Sequence, residues 1–435
     1  MMIKLSEWPM IVEQANNGFA RLRSSKFARD ATRLFVFNLL SRIGSFFGTA
    51  YGMRCLGPVN VGISALVQAT VQQVSLAFNC GFDIIATRRI AADHQQVTII
   101  TPIVVTFRLV LAVIAALVWV IVCHTVVPES NRWVWMMGAP IMIASTGSIA
   151  FVFNGLEKLP IQNGIGTGGV LLMAVAYFMF FRPGMFLGAD LIVITVIGSA
   201  TMGVSWAVYR RLVGSWPIGV IVVQQLKSLF RESWRYWVQT GAVFFYMVFQ
   251  IVLVIKMLGP EAGGIYRSAI GLAGALEMLF NSINVLLLSR LVNWRKTGLE
   301  AMLHNQRRLL IIYIVIGLPL AAAFILVMPW VYFHILGTAF MRGVPVCRVL
   351  VISSMISFVG QIYSWGVVAN KQDTQLMLIM TGGALISVVL NVLFIPLYGI
   401  IVPAIVSALV STFMHFLCYI VLCNDMKKNV LARPN

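Results

Sequence analysis

The sequence predicts an all-α integral membrane protein, with twelve transmembrane helices in two six-helix bundles related by a parallel internal repeat. Three observations carry that expectation. Apolar residues make up 60% of the 435 and charged residues only 11%, with a mean hydropathy of +0.90, whereas a soluble domain is about one quarter charged. Twelve apolar runs approach the roughly 20 residues that a helix needs to cross a ~30 Å hydrocarbon core. Finally, Leu56-Gly57-Pro58, Gly62, Phe78-Asn79 and Arg88 return 202 positions later, without a gap, as Leu258-Gly259-Pro260, Gly264, Phe280-Asn281 and Arg290.

The twelve runs, numbered as spans 1 to 12, cover 34–53, 62–80, 98–121, 133–153, 164–181, 187–208, 238–257, 264–288, 309–333, 344–368, 375–396 and 400–422. They are continuous rather than alternating, which favours helices over a barrel. The repeat offset carries spans 1 and 2 onto spans 7 and 8. An even number of spans per half means that both halves cross in the same sense, with the pseudo-twofold axis along the membrane normal.

The net charge of +18 invites thoughts of nucleic acid, but its distribution answers to a membrane. With the N-terminus inside, the inner segments hold 23 Lys and Arg, the outer side holds five (counting Lys256 at the outer end of span 7), and four (Arg42, Arg108, Arg267, Arg348) fall deeper within spans. Positive charge collects on the cytoplasmic side of membrane proteins, so both termini are expected there. The basic excess then serves topology and contact with anionic lipid. No nucleic-acid partner is expected.

The order along the chain follows from these rules. Residues 1–33 mix Trp8, Met10, Ile11 and Phe19 with Arg21, Arg23, Lys26 and Arg29, as an interfacial arm would. An N-terminal bundle is expected over 34–208, a basic amphipathic cytoplasmic linker over 209–237, a C-terminal bundle over 238–422 and a tail over 423–435. Span 1 carries Asn38, Arg42, Ser45 and Thr49 on one helical face. Arg42 is central, and an Arg there costs ~2.5–3.5 kcal/mol unless it faces protein or water.

Span 2 continues the pattern with Gln68, Gln72, Ser75 and Asn79. Span 8 has Arg267, Gly274, Glu277, Asn281 and Asn284 on one stripe, and span 10 has Ser354, Ser357, Gln361 and Ser364. Glu277 is read as the only acidic residue deep in any span. Lipid gives such stripes no solvation, so they should face inward. Pro102, Pro140, Pro319 and Pro329 fall within spans, where proline kinks or ends a helix.

There is no GxxxxGK[ST] loop, no HExxH and no large outer loop, and the six cysteines are scattered without a CxxC pair. No enzyme, metal or cofactor is expected. Coupling to a proton or sodium gradient stays open, with Glu277 as its candidate carboxylate.

The LGPxxxG turns after spans 1 and 7, the Gly81-Phe82-Asp83 to Ala86-Thr87-Arg88-Arg89-Ile90-Ala91 loop, and the late Asn391, Pro396, Tyr398-Gly399 turn together resemble the polysaccharide transporters. These are the O-antigen flippase (Wzx-type) members of the multidrug/oligosaccharidyl-lipid/polysaccharide exporter superfamily, and the resemblance covers essentially the whole chain. Val402-Pro403 departs from the small residues that relatives often carry after the late turn. The resemblance implies a V-shaped pair of bundles around a cavity lined by spans 1, 2, 7 and 8. The implied work is flipping an undecaprenyl-diphosphate-linked oligosaccharide across the bacterial inner membrane by alternating access.

The residues suit that work on their own chemistry. A diphosphate needs a hydrated cationic cavity, and a guanidinium grips two phosphate oxygens at once. Amides and hydroxyls match sugar hydroxyls, while the lipid tail stays in the bilayer. The expected substrate-binding set is therefore Arg42, Arg267, Glu277, Asn281, Gln68, Gln72, Asn79 and Arg348, with Arg88 and Arg290 as gating or anchoring residues. Membrane lipids, a glycan polymerase and a chain-length regulator are the expected partners. Two other readings compete: a cation-coupled multidrug exporter, whose cavity should carry carboxylates, and a membrane-embedded glycan polymerase or ligase, which needs a larger outer loop.

Overall fold

Backbone polar groups find no partner in hydrocarbon, so a chain this apolar satisfies them within helices. The computed structural model describes residues 26–284, 287, 290–291, 294–295, 298–370 and 372–431. Side chains are described for 44–158, 160–238, 241, 248–280, 284, 287, 290–291, 294–295, 298–370 and 372–425. The expected N-terminal arm lies mostly outside these residues, as does the end of the tail.

Described elements of the N-terminal half are α1 (Lys26–Asn79), α2 (Phe82–Ala92), α3 (Val97–Val126), α4 (Glu129–Met136), α5 (Gly138–Thr146), α6 (Ala150–Gly155), α7 (Leu159–Phe180) and α8 (Ala189–Val213). Those of the C-terminal half are α9 (Val223–Leu258), α10 (Pro260–Asn284), α11 (Leu299–Val331), α12 (Val344–Ala369), α13 (Asp373–Tyr398) and α14 (Val402–Leu431). The protein is an all-α, multi-pass membrane protein. Eight stretches of the described residues are long and apolar enough to cross a membrane. Two of them, Gly44–Asn79 and Asp373–Asp425, run to 36 and 53 residues, well beyond the ~20 that one crossing needs.

Each of those two long stretches contains a glycine break. In α1, Gly57 sits at φ 76°, ψ 163°, a region that only glycine enters freely, and Pro58 has no N–H to continue the preceding turn. The same grammar ends α9 at Leu258: Gly259 turns the chain at φ 91°, ψ 168°, and Pro260 opens α10, where its missing N–H costs nothing. Between α13 and α14 the break is Gly399, at φ 75°. The second helix then restarts at Val402, with Pro403 in its first turn.

Span 4 departs from expectation. Instead of one helix over 133–153, the chain forms α4, α5 and α6. Breaks within a bilayer leave carbonyls without intrahelical donors, and two indoles supply them. Trp119 Nε1 donates to the Trp135 carbonyl at 2.7 Å, and Trp206 Nε1 to that of Gly147 at 2.9 Å.

Small residues set the closest helix contacts. Gly44, Gly48 and Gly52, four apart, form a ridge on α1 that meets Leu171, Ala174 and Tyr177 of α7. A Cβ at Gly48 would lie 2.6 Å from the Ala174 Cα, so the two backbones touch, as membrane helices do where dispersion is the main attraction. In the C-terminal half, the Phe358 ring of α12 stacks between Phe280 of α10 and Tyr313 of α11, with centroids 4.1 and 4.3 Å away.

The expected surface linker over 209–237 is not a separate element. Gly214 caps α8 in the left-handed region at φ 83°. A nonhelical stretch follows, and α9 then runs unbroken from linker into span 7. Its first turns dock on the N-terminal half: Ser233 Oγ donates to the Cys80 carbonyl at 2.7 Å, and Arg89 bonds Ser228 and pairs with Glu232. That ion pair is half exposed and contributes little. Burial of Leu229 against Phe82, Ile85 and Ile90 holds the dock.

Across the middle of the molecule, α10 lies along α1. Although it is too polar to count among the eight apolar stretches, α10 is wrapped by α1, α9, α11 and α12. A helix carrying Arg267 and Glu277 is thereby kept from lipid, where each charge would cost kilocalories.

Candidate functional site

The two LGPxxxG turns meet each other. A Cβ at Gly62 would lie 1.8 Å from the Pro260 carbonyl oxygen, and a Cβ at Gly264 would lie 1.8 Å from that of Pro58. The next distances also repeat, 2.7 Å to the carbonyl carbon and 3.0 Å to the opposing glycine nitrogen. Such reciprocity is the signature of a local twofold relation between the turns, and only glycine admits the approach. Beside them, Arg54 Nη1 donates to the His334 carbonyl at 2.9 Å and fastens the end of span 1 to the C-terminal half.

Next to this seam is a cavity of about 150 Å³ whose polar lining is Thr49, Gln68, Tyr177, Asp190 and Arg267. Asp190, in the first turn of α8, is only 7% exposed. Ser64 Oγ donates to its Oδ1 at 2.7 Å and Gln68 Nε2 to its Oδ2 at 3.3 Å. Arg267 enters from α10, in the opposite half. It is half-buried and makes no hydrogen bond among the described residues.

Gln68, Met173 and Ile194 also line a second chamber of about 480 Å³ inside the N-terminal half. Ser145, Ser148, Gln162, Thr201 and Ser205 add hydroxyls and an amide there, and none of the described lining residues is charged. Together the cavities offer one guanidinium, one carboxylate and a run of neutral hydrogen-bonding groups. That set can bind an anion next to a hydroxylated group, and it needs no bond-making side chain.

Of the expected site residues, Gln68 and Arg267 come together in this cavity. Glu277 is half-buried on α10, ten residues beyond Arg267 and so about 15 Å along the helix. Gln72 is exposed, one turn after Gln68. Arg348 is exposed in the first turns of α12, and Arg88 and Arg290 are exposed at the other end of the bundle. The side chains of Arg42 and Asn281 lie outside the described ones.

Asn79 stands apart from the cavity, in a different task. Arg108, 4% exposed on α3, bonds Asp83 at 2.8 Å and takes both the Asn79 carbonyl at 3.1 Å and its Oδ1 at 2.6 Å. Asn79 Nδ2 in turn donates to Asp83 at 2.9 Å. The span 2 amide is consumed in stapling α1, α2 and α3. Lysine has one nitrogen where Arg108 uses two, Nη1 on Asp83 and Nη2 on Asn79, and hydrogen bonds to charged groups contribute ~1.5–3 kcal/mol each. Arg108→Lys is therefore expected to destabilise the protein by roughly 2–3 kcal/mol, read as a lowered thermal midpoint in detergent. A midpoint equal to that of the wild type would dismiss the staple.

Asp190 is a buried carboxylate that the sequence reading did not single out. Its position in the first turn of span 6 resembles the ordinary helix-start acid favoured by the dipole, which hid it. The available signal was the pairing of Ser64 and Gln68, four residues apart and hence on one face.

The chain matches the profile of the polysaccharide biosynthesis protein family over residues 27–288. A protein of Escherichia coli (strain K12) named as an O-antigen transporter is 23% identical over 242 residues, covering 54% of this chain and 57% of the relative. The match thus spans little more than half of that relative's length. Among solved structures, the lipid II flippase MurJ in an inward closed conformation aligns with a TM-score of 0.72 at 10% identity, over 90% of this chain and 87% of its own. An inward-facing multidrug resistance MATE family transporter of the MOP superfamily aligns with a TM-score of 0.65 at 13% identity, over 89% and 99%. At these identities the likeness is one of fold.

Proposed function

The chain belongs to the polysaccharide biosynthesis protein family, and on that premise we propose that it is a transporter that flips a lipid-linked oligosaccharide across a membrane. The substrate is an undecaprenyl-diphosphate-linked, O-antigen-like repeat unit, carried from the cytoplasmic to the periplasmic leaflet of the bacterial inner membrane. Both termini are cytoplasmic, and the glycine seam lies at the periplasmic end. The observation that carries the reading is Arg267, a guanidinium without a hydrogen-bond partner among the described residues, in a cavity between the halves beside a chamber of amides and hydroxyls. Arg267 takes the diphosphate, and the neutral groups take sugar hydroxyls. The substrate set extends to Arg42, Glu277 and Asn281 on the same two helices.

Transport needs no covalent step. Alternating access moves the seam between closed and open, and each state binds the headgroup only as well as its differential contacts allow. In proteoliposomes holding a fluorescent undecaprenyl-diphosphate saccharide, the protein is expected to make the inner-leaflet pool reachable by an external quencher. A cell lacking the protein, and any redundant transporter, should retain lipid-linked units on the cytoplasmic face. Normal surface glycan in that cell would overturn the reading.

A multidrug exporter is the second reading, favoured by the MATE-like fold. It is opposed by the charge balance of the cavity, where the carboxylate of Asp190 is offset by the guanidinium of Arg267, so the described lining has no net negative charge to attract a cationic drug. Drug sensitivity unchanged by the protein's loss is the expected outcome.

A further inference from the structure

This inference rests on the transport reading and concerns what partners Arg267 between substrates. A guanidinium inside a membrane protein needs a negative neighbour in every state the protein visits, because an uncompensated buried ion is strongly destabilising. A diphosphate headgroup supplies that charge during transport. The return of the carrier without substrate needs another source.

Asp190 is placed to be that source. Its carboxylate and Arg267 line the same cavity of about 150 Å³. Among the described residues of that lining, Tyr177 is the only other titratable side chain, so no second described carboxylate competes for the role. The two charges are within electrostatic reach of each other, yet none of the ion pairs within 4 Å among the described residues joins them. Ser64 and Gln68 explain the gap: both carboxylate oxygens are held by α1, within the N-terminal half. Among the described lining residues only Arg267 crosses from the C-terminal half, so any movement between the halves changes this one separation while leaving the carboxylate's own contacts intact.

We propose that Asp190 is the resting counter-anion of Arg267, balancing that guanidinium in the unloaded transporter and yielding it to a phosphate-bearing headgroup in the loaded one. The carboxylate and the phosphate compete for one cation, and reciprocity of coupled binding makes each weaken the other. Asp190 thus keeps headgroup binding loose enough for release and lets the unloaded halves close without a bare charge between them. It acts on transport as a positioning residue through Arg267.

The test uses purified full-length protein and inorganic diphosphate as probe, with affinity read by calorimetry. Wild-type protein is expected to bind weakly, and Arg267→Gln to abolish binding. Asp190→Asn should bind about tenfold more tightly, a difference of ~1.4 kcal/mol, and Asp190→Glu should return to wild-type affinity. In proteoliposomes Asp190→Asn should lower KM and kcat together, a split that simple misfolding does not produce. Unchanged, weaker or absent diphosphate binding in Asp190→Asn overturns the counter-anion while leaving the transport reading in place, so long as Arg267→Gln still slows flipping. Diphosphate binding that ignores Arg267→Gln overturns the pairing and the site assignment together. Should Asp190→Asn fail to fold, Ser64→Ala frees one carboxylate oxygen toward Arg267 without removing the charge. It is expected to weaken diphosphate binding two- to threefold, and equal or tighter binding overturns the proposal.

Discussion

Replacing Arg267 with Gln is expected to slow the flipping of a lipid-linked saccharide by at least about 100-fold, ~2.7 kcal/mol, measured by headgroup accessibility in proteoliposomes. The magnitude follows from what glutamine cannot supply. A guanidinium offers charge and two parallel donors to a diphosphate, and charge-assisted hydrogen bonds contribute roughly 1.5–3 kcal/mol each. Glutamine keeps a single neutral donor group. Lysine should restore part of the rate, because it keeps the charge and loses the fork. Flipping at the wild-type rate in Arg267→Gln would mean that the headgroup is held elsewhere, and Arg42 would become the next cation to remove.

Adding one methyl group at the seam should be nearly as damaging. In Gly62→Ala the new carbon starts 1.8 Å from the Pro260 carbonyl oxygen, and backbone on both sides of the contact leaves no flexible group to give way. Ordinary contact begins near 3.4 Å, so the turns must part by about 1.6 Å, more than a close-packed interior absorbs. The closed seam is lost, and transport is expected to stop. Cys55, 2% exposed beside the turn, reports the change: with the other cysteines replaced, a membrane-impermeant maleimide should label it at least about tenfold faster. Gly264→Ala should behave alike, and the double variant should not recover, because both contacts worsen in the same direction. Slow labelling with intact transport would show that the glycines are not needed for closure.

Composition alone gives the membrane class, and the recurring Leu-Gly-Pro marks two of the helix breaks. Both follow from local chemistry: hydropathy is additive, and a Gly-Pro pair constrains its own backbone wherever it stands. Gln68 and Arg267 were legible for a similar reason, since a polar group within an apolar run must face inward. What escaped depends on packing between distant segments. Asn79 and Arg108 are 29 residues apart, and nothing in either span says that one consumes the other. Asp190 has the sequence position of a helix-start acid, and its burial comes from packing that the sequence does not show. The division of span 4 was hidden because the Trp119 and Trp206 indoles that make it tolerable come from other helices. The linker misled in the opposite way, since its basic residues suggested a free surface segment although its apolar face continues into α9.

That continuity of α9 has a mechanical consequence. Its 36 residues form a rod of about 54 Å at 1.5 Å per residue, fixed near one end to α2 and along the other to α13. A rod clamped to both bodies works as a crank: rocking of one bundle arrives at the other as torque, and the clamps cannot both stay seated through a large swing unless the shaft flexes. Gly241, near mid-shaft with no described neighbour within 4 Å of its missing side chain, is a position where bending would meet little resistance. On the transport reading, the stroke would be limited by the stiffness of one helix as well as by the seam that it opens.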